Sequence, residues 1–362
     1  MSYQANFFAS CPDIQGRLNG MWFTPGEFPG ADERMPFAEY LTSAENRRPI
    51  VSTMITGNGK VRPVEVVYNQ RRLESAAQHN QPNPNCEAST RPNERTARYD
   101  LDTDVNIQVD STMNITDFER VCEESRTKVD REMALMVDQL DRAVATYISQ
   151  QAVGWQGGWG ATIPAGTTPG TVNASRQFII NTKNAGTQVP SPDAWIDLRN
   201  ALDDSGFPRN VGIFGGTTLR KYMQFLNAGC CNDNGLDLGA IQAQNGYSYS
   251  YDMRLQAALA SNGANEFLVV APGALQVLNF ARSMGKDGLG PIWNQSSNYL
   301  YTAIYSPRLG QWYDFTAKDP CGTISMTLTW TGTVIGLPND MFATGDNYAG
   351  VTYAAQGVVV NT

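Results

Sequence analysis

The segment "DAWIDLRNALDDSGFPRNVGIFGGTTLRKYMQFL", residues 193–226, places a helix, a turn, a strand and a second helix in close succession. The buried face of the first helix is marked by apolar side chains at helical spacing: Trp195, Leu198 and Leu202. Gly206 lies just beyond this helix, and the apolar run ending at Phe214 predicts a buried strand. Thr217 is predicted to be the N-cap of the next helix. The segment therefore predicts a packed α/β unit.

A strand, a glycine turn and a helix start are also typical of phosphate-binding loops. The dinucleotide fingerprint needs G-x-G-x-x-G and the P-loop needs G-x-x-x-x-G-K-[ST]. Neither spacing is met by the three glycines here: Gly212, Gly215 and Gly216. We therefore interpret the loop as a structural turn and predict no cofactor. A nucleotide- or sugar-binding enzyme built on residues 190–330 stays as an alternative.

The composition limits which partners and chemistries the chain can have. Its 362 residues carry a formal net charge of −8, and bulk nucleic-acid phosphates are bound mainly by Lys and Arg. His79 is the only histidine, it lies in a polar segment, and no G-x-S-x-G motif occurs. We therefore predict no catalytic residue and no enzymatic activity. No run approaches the roughly 20 apolar residues of a membrane span, so we predict no membrane contact.

Three aspartates, Asp100, Asp102 and Asp104, match the start of a calcium-binding loop. Such a loop needs Gly at its sixth position and Glu at its twelfth, where this chain has Val105 and Ser111. The cysteines also lack the spacing of zinc ligands. We therefore predict no metal site. The alternation is better explained by one long half-buried strand over residues 99–110, with these side chains on its apolar face: Tyr99, Leu101, Val105, Ile107 and Val109.

A long helix is predicted over residues 116–152. Thr116 and Glu119 form a capping box, and apolar positions then recur every three or four residues. About 37 residues at a rise of 1.5 Å give a rod of about 55 Å. The residues predicted to pack this helix on the rest of the chain are Phe118, Met133, Met136, Leu140 and Tyr147.

The N-terminal third is predicted to project from the core. Residues 1–48 carry aromatic side chains among Gly and Pro, with one short helical stretch, and cannot build a core of their own. A hairpin is predicted around Gly57-Asn58-Gly59, with Pro63 placing the return strand at a sheet edge. Further along, Pro272-Gly273 is predicted to connect a strand to a helix.

This order of elements resembles the major capsid proteins of tailed bacteriophages, which have the Hong Kong-ninety-seven-like fold. The segments that carry the resemblance are residues 50–69, 115–152 and 193–226, together with the N-terminal arm. The resemblance implies an α+β fold. Its parts would be an N-terminal arm (1–48), an extended β-hairpin loop with its connecting loop (49–97), a peripheral domain with the spine helix (98–188), an axial α/β domain (189–330) and C-terminal strands returning to the core (331–362).

The resemblance also implies a function and a set of contacts. The chain would be a structural subunit of an icosahedral phage head, assembled in the host bacterial cytoplasm as hexamers and pentamers around double-stranded DNA. Further partners would be portal, scaffolding and decoration proteins, with weak non-specific contact to DNA. An encapsulin-like nanocompartment shell stays as an alternative. The implied contacts between subunits are Met54, Ile55, Lys60, Arg62 and Glu65 in the extended loop, and Phe7, Phe8, Trp22 and Phe23 in the arm.

Overall fold

The computed structural model describes most of the chain from Glu33 onward, with gaps between the segments. The described residues are 33–43, 46, 52–55, 63–69, 94–100, 106–114, 122–155, 157–183, 193–228, 246–259, 263–279, 281, 292–294, 299–318, 323–338, 342, 348 and 350–360. They contain helices and strands in both mixed and antiparallel sheets, which confirms the predicted α+β class. None of the helices in these segments is long and apolar enough to cross a membrane.

Five helices lie in the described segments. They are α1 (Pro36–Thr42), α2 (Cys122–Gly154), α3 (Asp193–Asp204), α4 (Thr217–Ala228) and α5 (Met253–Ala258). The long predicted helix is confirmed as α2, which has 33 residues and ends two residues later than predicted. Its predicted start at residue 116 lies outside the described residues.

A three-stranded antiparallel sheet contains the predicted hairpin. Its strands are β1 (Ser52–Ile55), β2 (Pro63–Asn69) and β3 (Glu94–Asp100), in the order β1-β2-β3. The pairing of β1 with β2 confirms the hairpin, but the prediction that Pro63 makes β2 an edge strand is wrong. Pro63 is the first residue of a central strand, a position where its missing N–H is tolerated.

A larger sheet combines strands that are far apart in sequence. It contains β4 (Asn106–Asn114), β10 (Ile292–Asn294), β11 (Tyr299–Ser306), β12 (Gln311–Lys318) and β13 (Thr323–Gly336) in the order β10-β11-β12-β13-β4, with β9 (Leu275–Asn279) also pairing with β13. The prediction of one strand over residues 99–110 is wrong, because β3 and β4 belong to different sheets. Alternation reports which side chains are buried, but it carries no information about the strand's partner.

The predicted helix after Pro272-Gly273 is also wrong. Gly273 adopts a positive φ of 80° in a turn, and the chain continues as strand β9. Pairing of β9 with β13 outweighs the helical preference of this segment, since strand formation depends strongly on its neighbours.

A five-stranded mixed sheet forms the α/β unit. Its strands are β5 (Phe178–Asn181), β6 (Val211–Gly215), β7 (Tyr247–Tyr251), β8 (Glu266–Val270) and β14 (Ala354–Val360), in the order β5-β14-β8-β6-β7. Every residue of β6 and β8 is buried, as expected for central strands covered on both faces. The predicted strand ending near Phe214 and the helices on either side of it are therefore confirmed.

Helix α3 ends where the sequence predicts. Gly206 has a positive φ of 69°, and its N–H donates to the Asp203 carbonyl at 3.0 Å. The Phe207 N–H donates to the Leu202 carbonyl at 2.9 Å. These two bonds satisfy carbonyls at the helix end that would otherwise lack partners, in a left-handed arrangement that favours glycine.

The chain divides into two compact units, each built from separate segments. Unit 1 contains residues 1–43, 101–148 and 277–333, and unit 2 contains residues 44–100, 149–276 and 334–362. The core of unit 1 includes the inward side chains of β12 and β13, with Trp330, Tyr313 and Phe315 among the largest buried residues. The core of unit 2 includes Trp195, Phe178 and Phe267.

Candidate functional site

The glycine turn between β6 and α4 is the first candidate site. The Gly216 carbonyl accepts a hydrogen bond from the Arg220 N–H at 3.1 Å, so Gly216 is the N-cap and Thr217 is the first helical residue. The prediction of Thr217 as the N-cap is therefore wrong. Its hydroxyl does not accept a backbone N–H but donates to Gln256 Oε1 at 2.8 Å. The Gln256 side chain, on helix α5, accepts the N–H hydrogen bond that a local N-cap side chain would accept.

The backbone donors of this turn already have acceptors within the protein. The Gly216 N–H donates to the Glu266 carbonyl at 3.0 Å, and the Thr218 N–H donates to the Ala264 carbonyl at 2.9 Å. The Thr217 N–H donates to Gln256 Oε1 at 3.0 Å. A phosphate at a helix N-terminus needs these same donors. The hydrogen bonds therefore support the interpretation of this loop as a structural turn.

Close packing at Gly216 leads to the same conclusion. A Cβ atom at this position would lie 2.1 Å from the Gly263 carbonyl oxygen and 2.5 Å from the Ala264 carbonyl oxygen. Both neighbours are backbone atoms, which cannot move as a flexible side chain can. Gly216 therefore allows two backbone segments to approach each other closely, and this contact leaves no space for a ligand.

A second candidate is a buried carboxyl group in unit 1. Asp141, in the middle of α2, has no exposed surface. Ser306, at the end of β11, donates from its hydroxyl to Asp141 Oδ2 at 2.9 Å. The Tyr313 hydroxyl, on β12, makes a short hydrogen bond to Asp141 Oδ1. The carboxyl thus joins the long helix to both strands that flank the β11–β12 turn.

Charged side chains lie beside this carboxyl group. Arg308 Nη1, in the β11–β12 turn, is 2.9 Å from Asp138 Oδ1, and Arg142 Nη2 is 2.9 Å from Asp138 Oδ2. Arg142 Nε is also 3.4 Å from Glu33 Oε2. Asp138 therefore bonds both guanidinium groups. The Asp141 carboxyl is hydrogen-bonded by hydroxyl groups.

Burial changes the acidity of the two partners. Desolvation raises the pKa of Asp141 from its ordinary value of 3.8 to about 7, against the opposing effects of the Tyr313 and Ser306 hydrogen bonds and the Arg308 charge. Burial and the neighbouring Asp141 charge raise the pKa of Tyr313 well above its ordinary value. The Asp141 carboxyl is therefore the group of this cluster that titrates near neutral pH.

The position of Asp141 in the sequence already indicates that its carboxyl is buried. Asp141 lies four residues after Val137 and three before Val144, so it occupies the apolar face of α2. A carboxyl group on the buried face of an amphipathic helix requires partners, because an isolated buried charge is costly. The partners themselves lie about 170 residues away and could not be paired with Asp141 from spacing.

The predicted spine-helix packing residues are mostly in the core. Met133, Met136 and Leu140 are buried. Tyr147 is half-buried, with its ring centroid 5.7 Å from that of Trp330 on β13 in an edge-to-face contact. Phe118 lies outside the described residues. These positions are consistent with α2 packing against the six-stranded sheet.

The predicted subunit contacts are only partly within the described residues. Met54 and Glu65 face each other in the β1–β2 register, and Ile55 pairs with Val64. The other predicted contacts lie outside the described residues: Lys60, Arg62, Phe7, Phe8, Trp22 and Phe23. The contact role of all these residues stays a prediction.

Most of the side chains considered for catalysis or metal binding lie outside the described residues. His79, Asp102 and Asp104 lie outside the described residues, and Asp100 ends strand β3. In the segments that the structure describes, no three His, Cys, Asp or Glu side chains are grouped closely enough to hold a metal ion.

Comparison with known proteins gives structural neighbours only. No protein-family model and no curated protein matches the chain. The capsid of the cyanophage P-SCSP1u is 11% identical, with 87% of this chain and 90% of that chain covered and a TM-score of 0.37. The mature capsid of bacteriophage PhiM1 is 10% identical, with 83% and 82% covered and a TM-score of 0.39.

A virus-like particle from Pyrococcus furiosus is another neighbour, at 7% identity, with 73% of this chain and 78% of that chain covered and a TM-score of 0.34. Other similar structures also come from phages. With TM-scores below 0.5 the likeness carries no argument about function, which is inferred from the chain's own elements.

Proposed function

We propose that the chain is a structural shell subunit of a phage head, which self-assembles into hexamers and pentamers around packaged double-stranded DNA. The observation that carries this proposal is the order of the described elements. A short helix, a small antiparallel sheet, a helix of 33 residues and a five-stranded α/β unit follow one another, as the resemblance implies. No enzymatic activity is part of the proposal.

The long helix supports the proposal through what it contacts. At a rise of 1.5 Å per residue, 33 residues span about 50 Å. Contacts from Asp141, Asp138 and Tyr147 to β-strands and the β11–β12 turn fix α2 to the six-stranded sheet. A rod fixed on a sheet over several turns makes a stiff plate, which suits a subunit that must transmit load within a shell.

The three-stranded sheet supports the proposal in a different way. Its extensive contacts run between its own strands, from β1 to β2 and from β2 to β3. Small antiparallel sheets gain stability by packing a face against another surface. We propose that a neighbouring copy of the chain supplies that surface, through Met54, Ile55, Lys60, Arg62 and Glu65.

The parts of the subunit follow from the same proposal. We propose the ranges 1–48 for the arm, 49–97 for the extended loop with its connecting loop, 98–188 for the peripheral domain, 189–330 for the axial domain and 331–362 for the C-terminal strands. Strand β13 pairs with β4 from Asn106↔Thr331 to Asn114↔Thr323, so the last part of the axial range shares a sheet with the peripheral one. The aromatic residues of the arm would be covered between copies.

The charge of the chain defines the proposed contact with DNA. A net charge of −8 disfavours close contact with the DNA phosphates, so contact with packaged DNA would be weak and without sequence preference. Portal, scaffolding and decoration proteins complete the proposed set of partners. The proposed location is the virion, after assembly in the host cytoplasm.

The mass of the purified protein tests the proposal. One chain has a mass of 39.6 kDa. We expect mass photometry to show assemblies of five or six copies, or much larger closed particles. A single 39.6 kDa species at every concentration and ionic strength would remove the proposal. If particles form, DNA inside them supports a phage head, and a protein cargo supports a nanocompartment.

Charge reversal tests the role of the extended loop. The double variant Lys60→Glu and Arg62→Glu should raise the concentration needed for assembly by at least about tenfold, because complementary charge contributes to specific association. Lys221→Glu, at an exposed position of α4, is the control for one charge reversal. Equal assembly of the double variant and the wild type would exclude these residues from the contact.

A further inference from the structure

The Asp141 cluster contains an ionisable group that the proposed shell function does not use. Asp141 and Tyr313 are both fully buried, and Ser306 is buried as well. The Ser306 hydroxyl also lies 3.4 Å from the Leu309 N–H, and the Gly310 N–H donates to the Ser306 carbonyl at 2.8 Å. The carboxyl of the helix is thus bonded to the residue that shapes the β11–β12 turn.

The charged groups facing the cluster balance one another without Asp141. They are Asp138 and Arg142 on α2, Arg308 in the turn, and Glu33 before α1. Two carboxylates and two guanidinium groups sum to zero charge. An ionised Asp141 would add one negative charge to a neutral group of buried and half-buried ions, with Arg308 and Arg142 already bonded to Asp138.

A neutral Asp141 fits the complete burial of the carboxyl, because an ionised carboxyl with no exposed surface would lose its hydration. In the neutral form the Asp141 carboxyl can donate its proton to one of its two hydroxyl partners and accept from the other. An ionised Asp141 can only accept. The Tyr313 and Ser306 hydroxyls both donate to this carboxylate, which offsets only part of the hydration lost on burial.

We propose that Asp141, Ser306 and Tyr313 form a proton-dependent latch, closed when the Asp141 carboxyl is neutral, that holds α2 on the β11–β12 turn. Opening the latch hydrates the carboxyl and separates the middle of α2 from the turn. The latch acts within one chain. A negative result for the latch would therefore leave the proposed shell function unchanged, and a negative result for shell assembly would leave the latch unchanged.

The direction of the pH effect follows from the acidity of the group. The buried carboxyl has a pKa of about 7, and the hydrated carboxyl has the ordinary value of 3.8. The closed latch therefore binds the proton more tightly than the open one. Its stability is fully present below about pH 3.8, falls progressively as the pH rises, and reaches its lower limit above about pH 7.

Hydrogen exchange of the protein at pH 6 and pH 8, corrected for intrinsic rates, tests the latch. For the wild type, protection of residues 136–148 and 306–311 should fall about tenfold between these pH values, as a pKa of about 7 requires. Asp141→Asn, which is neutral at both pH values, should show no such fall. Asp110→Asn, at an exposed position of β4, should behave like the wild type.

Equal pH dependence in the wild type and Asp141→Asn would overturn the latch. If Asp141→Asn does not fold, Tyr313→Phe serves in its place. The Tyr313 hydrogen bond lowers the pKa of Asp141, so its removal should move the loss of protection to higher pH. An unchanged transition in Tyr313→Phe would also overturn the proposal.

Discussion

Two polar sites on helices behave in opposite ways in this molecule. At the start of α4, Gly216, Thr217 and Thr218 have neutral acceptors for their N–H groups and no titrating side chain. In the middle of α2, Asp141 is buried with hydroxyl partners and a pKa near neutrality. The glycine turn before α4, which resembles a phosphate-binding loop, has its N–H donors bonded within the protein. Asp141, which no sequence motif marks, is the group whose pKa lies near neutrality.

The difference shows what a local motif can and cannot report. A glycine turn before a helix looks the same whether its donors meet a phosphate or a carbonyl from another strand. The outcome depends on Gln256, Gly263 and Ala264, which the motif does not include. The environment of Asp141 likewise depends on strands distant in sequence.

The substitution expected to destabilise the protein most is one that disrupts the packing at the α4 turn. Gly216→Ala should lower the free energy of unfolding by at least about 3 kcal/mol, because the new Cβ meets two backbone carbonyls that cannot move aside. Urea unfolding measures the change. Gly158→Ala is the matched control, since a Cβ there meets nothing within 4 Å. Similar stability of both variants would contradict the packing argument.

Removing the buried carboxyl should have the next largest effect. Asp141→Ala leaves the Tyr313 and Ser306 hydroxyls without their shared acceptor and opens a small cavity, which together should cost about 2–3 kcal/mol. Urea unfolding at pH 6 measures this loss. Asp110→Ala, at an exposed position, should change stability by less than about 0.5 kcal/mol. Equal effects of the two variants would mean that the Asp141 hydrogen bonds do not stabilise unit 1.

The smallest expected effect concerns the side chain that caps α4. Gln256→Ala removes the acceptor of the Thr217 N–H and hydroxyl, and should lower the free energy of unfolding by about 1 kcal/mol. A thermal shift assay with inorganic phosphate then tests whether the turn of the wild type binds an anion. We expect no stabilisation by phosphate in the wild type. Stabilisation of the wild type would show that the turn is a ligand site after all.

Local patterns predicted much of the fold. The 33-residue helix, the hairpin strands and the Gly206 helix end each depend on spacing or conformational preference within a short segment. The errors at Pro63 and after Gly273 concern which strands pair, and pairing is decided by residues far along the chain. Periodicity describes one face of a segment and does not name its partner.

The candidate site was predictable to a smaller extent. Asp141 could have been selected as a carboxyl on the apolar face of α2. Its acidity depends on Ser306, Tyr313 and Arg308, which lie more than 160 residues further along the chain. The hydrogen bonds of the glycine turn support its interpretation as structural, although its N-cap is Gly216 and its side-chain partner is Gln256.

Negative-stain electron microscopy of the purified protein shows directly whether copies of the chain assemble. A shell subunit with a stiff helix-on-sheet unit and a sheet that completes itself on a neighbour should form rings of five or six copies, or closed icosahedral particles. Such images are the result that we predict. Uniform particles of the size of a single 39.6 kDa chain, at high protein concentration, would contradict the account.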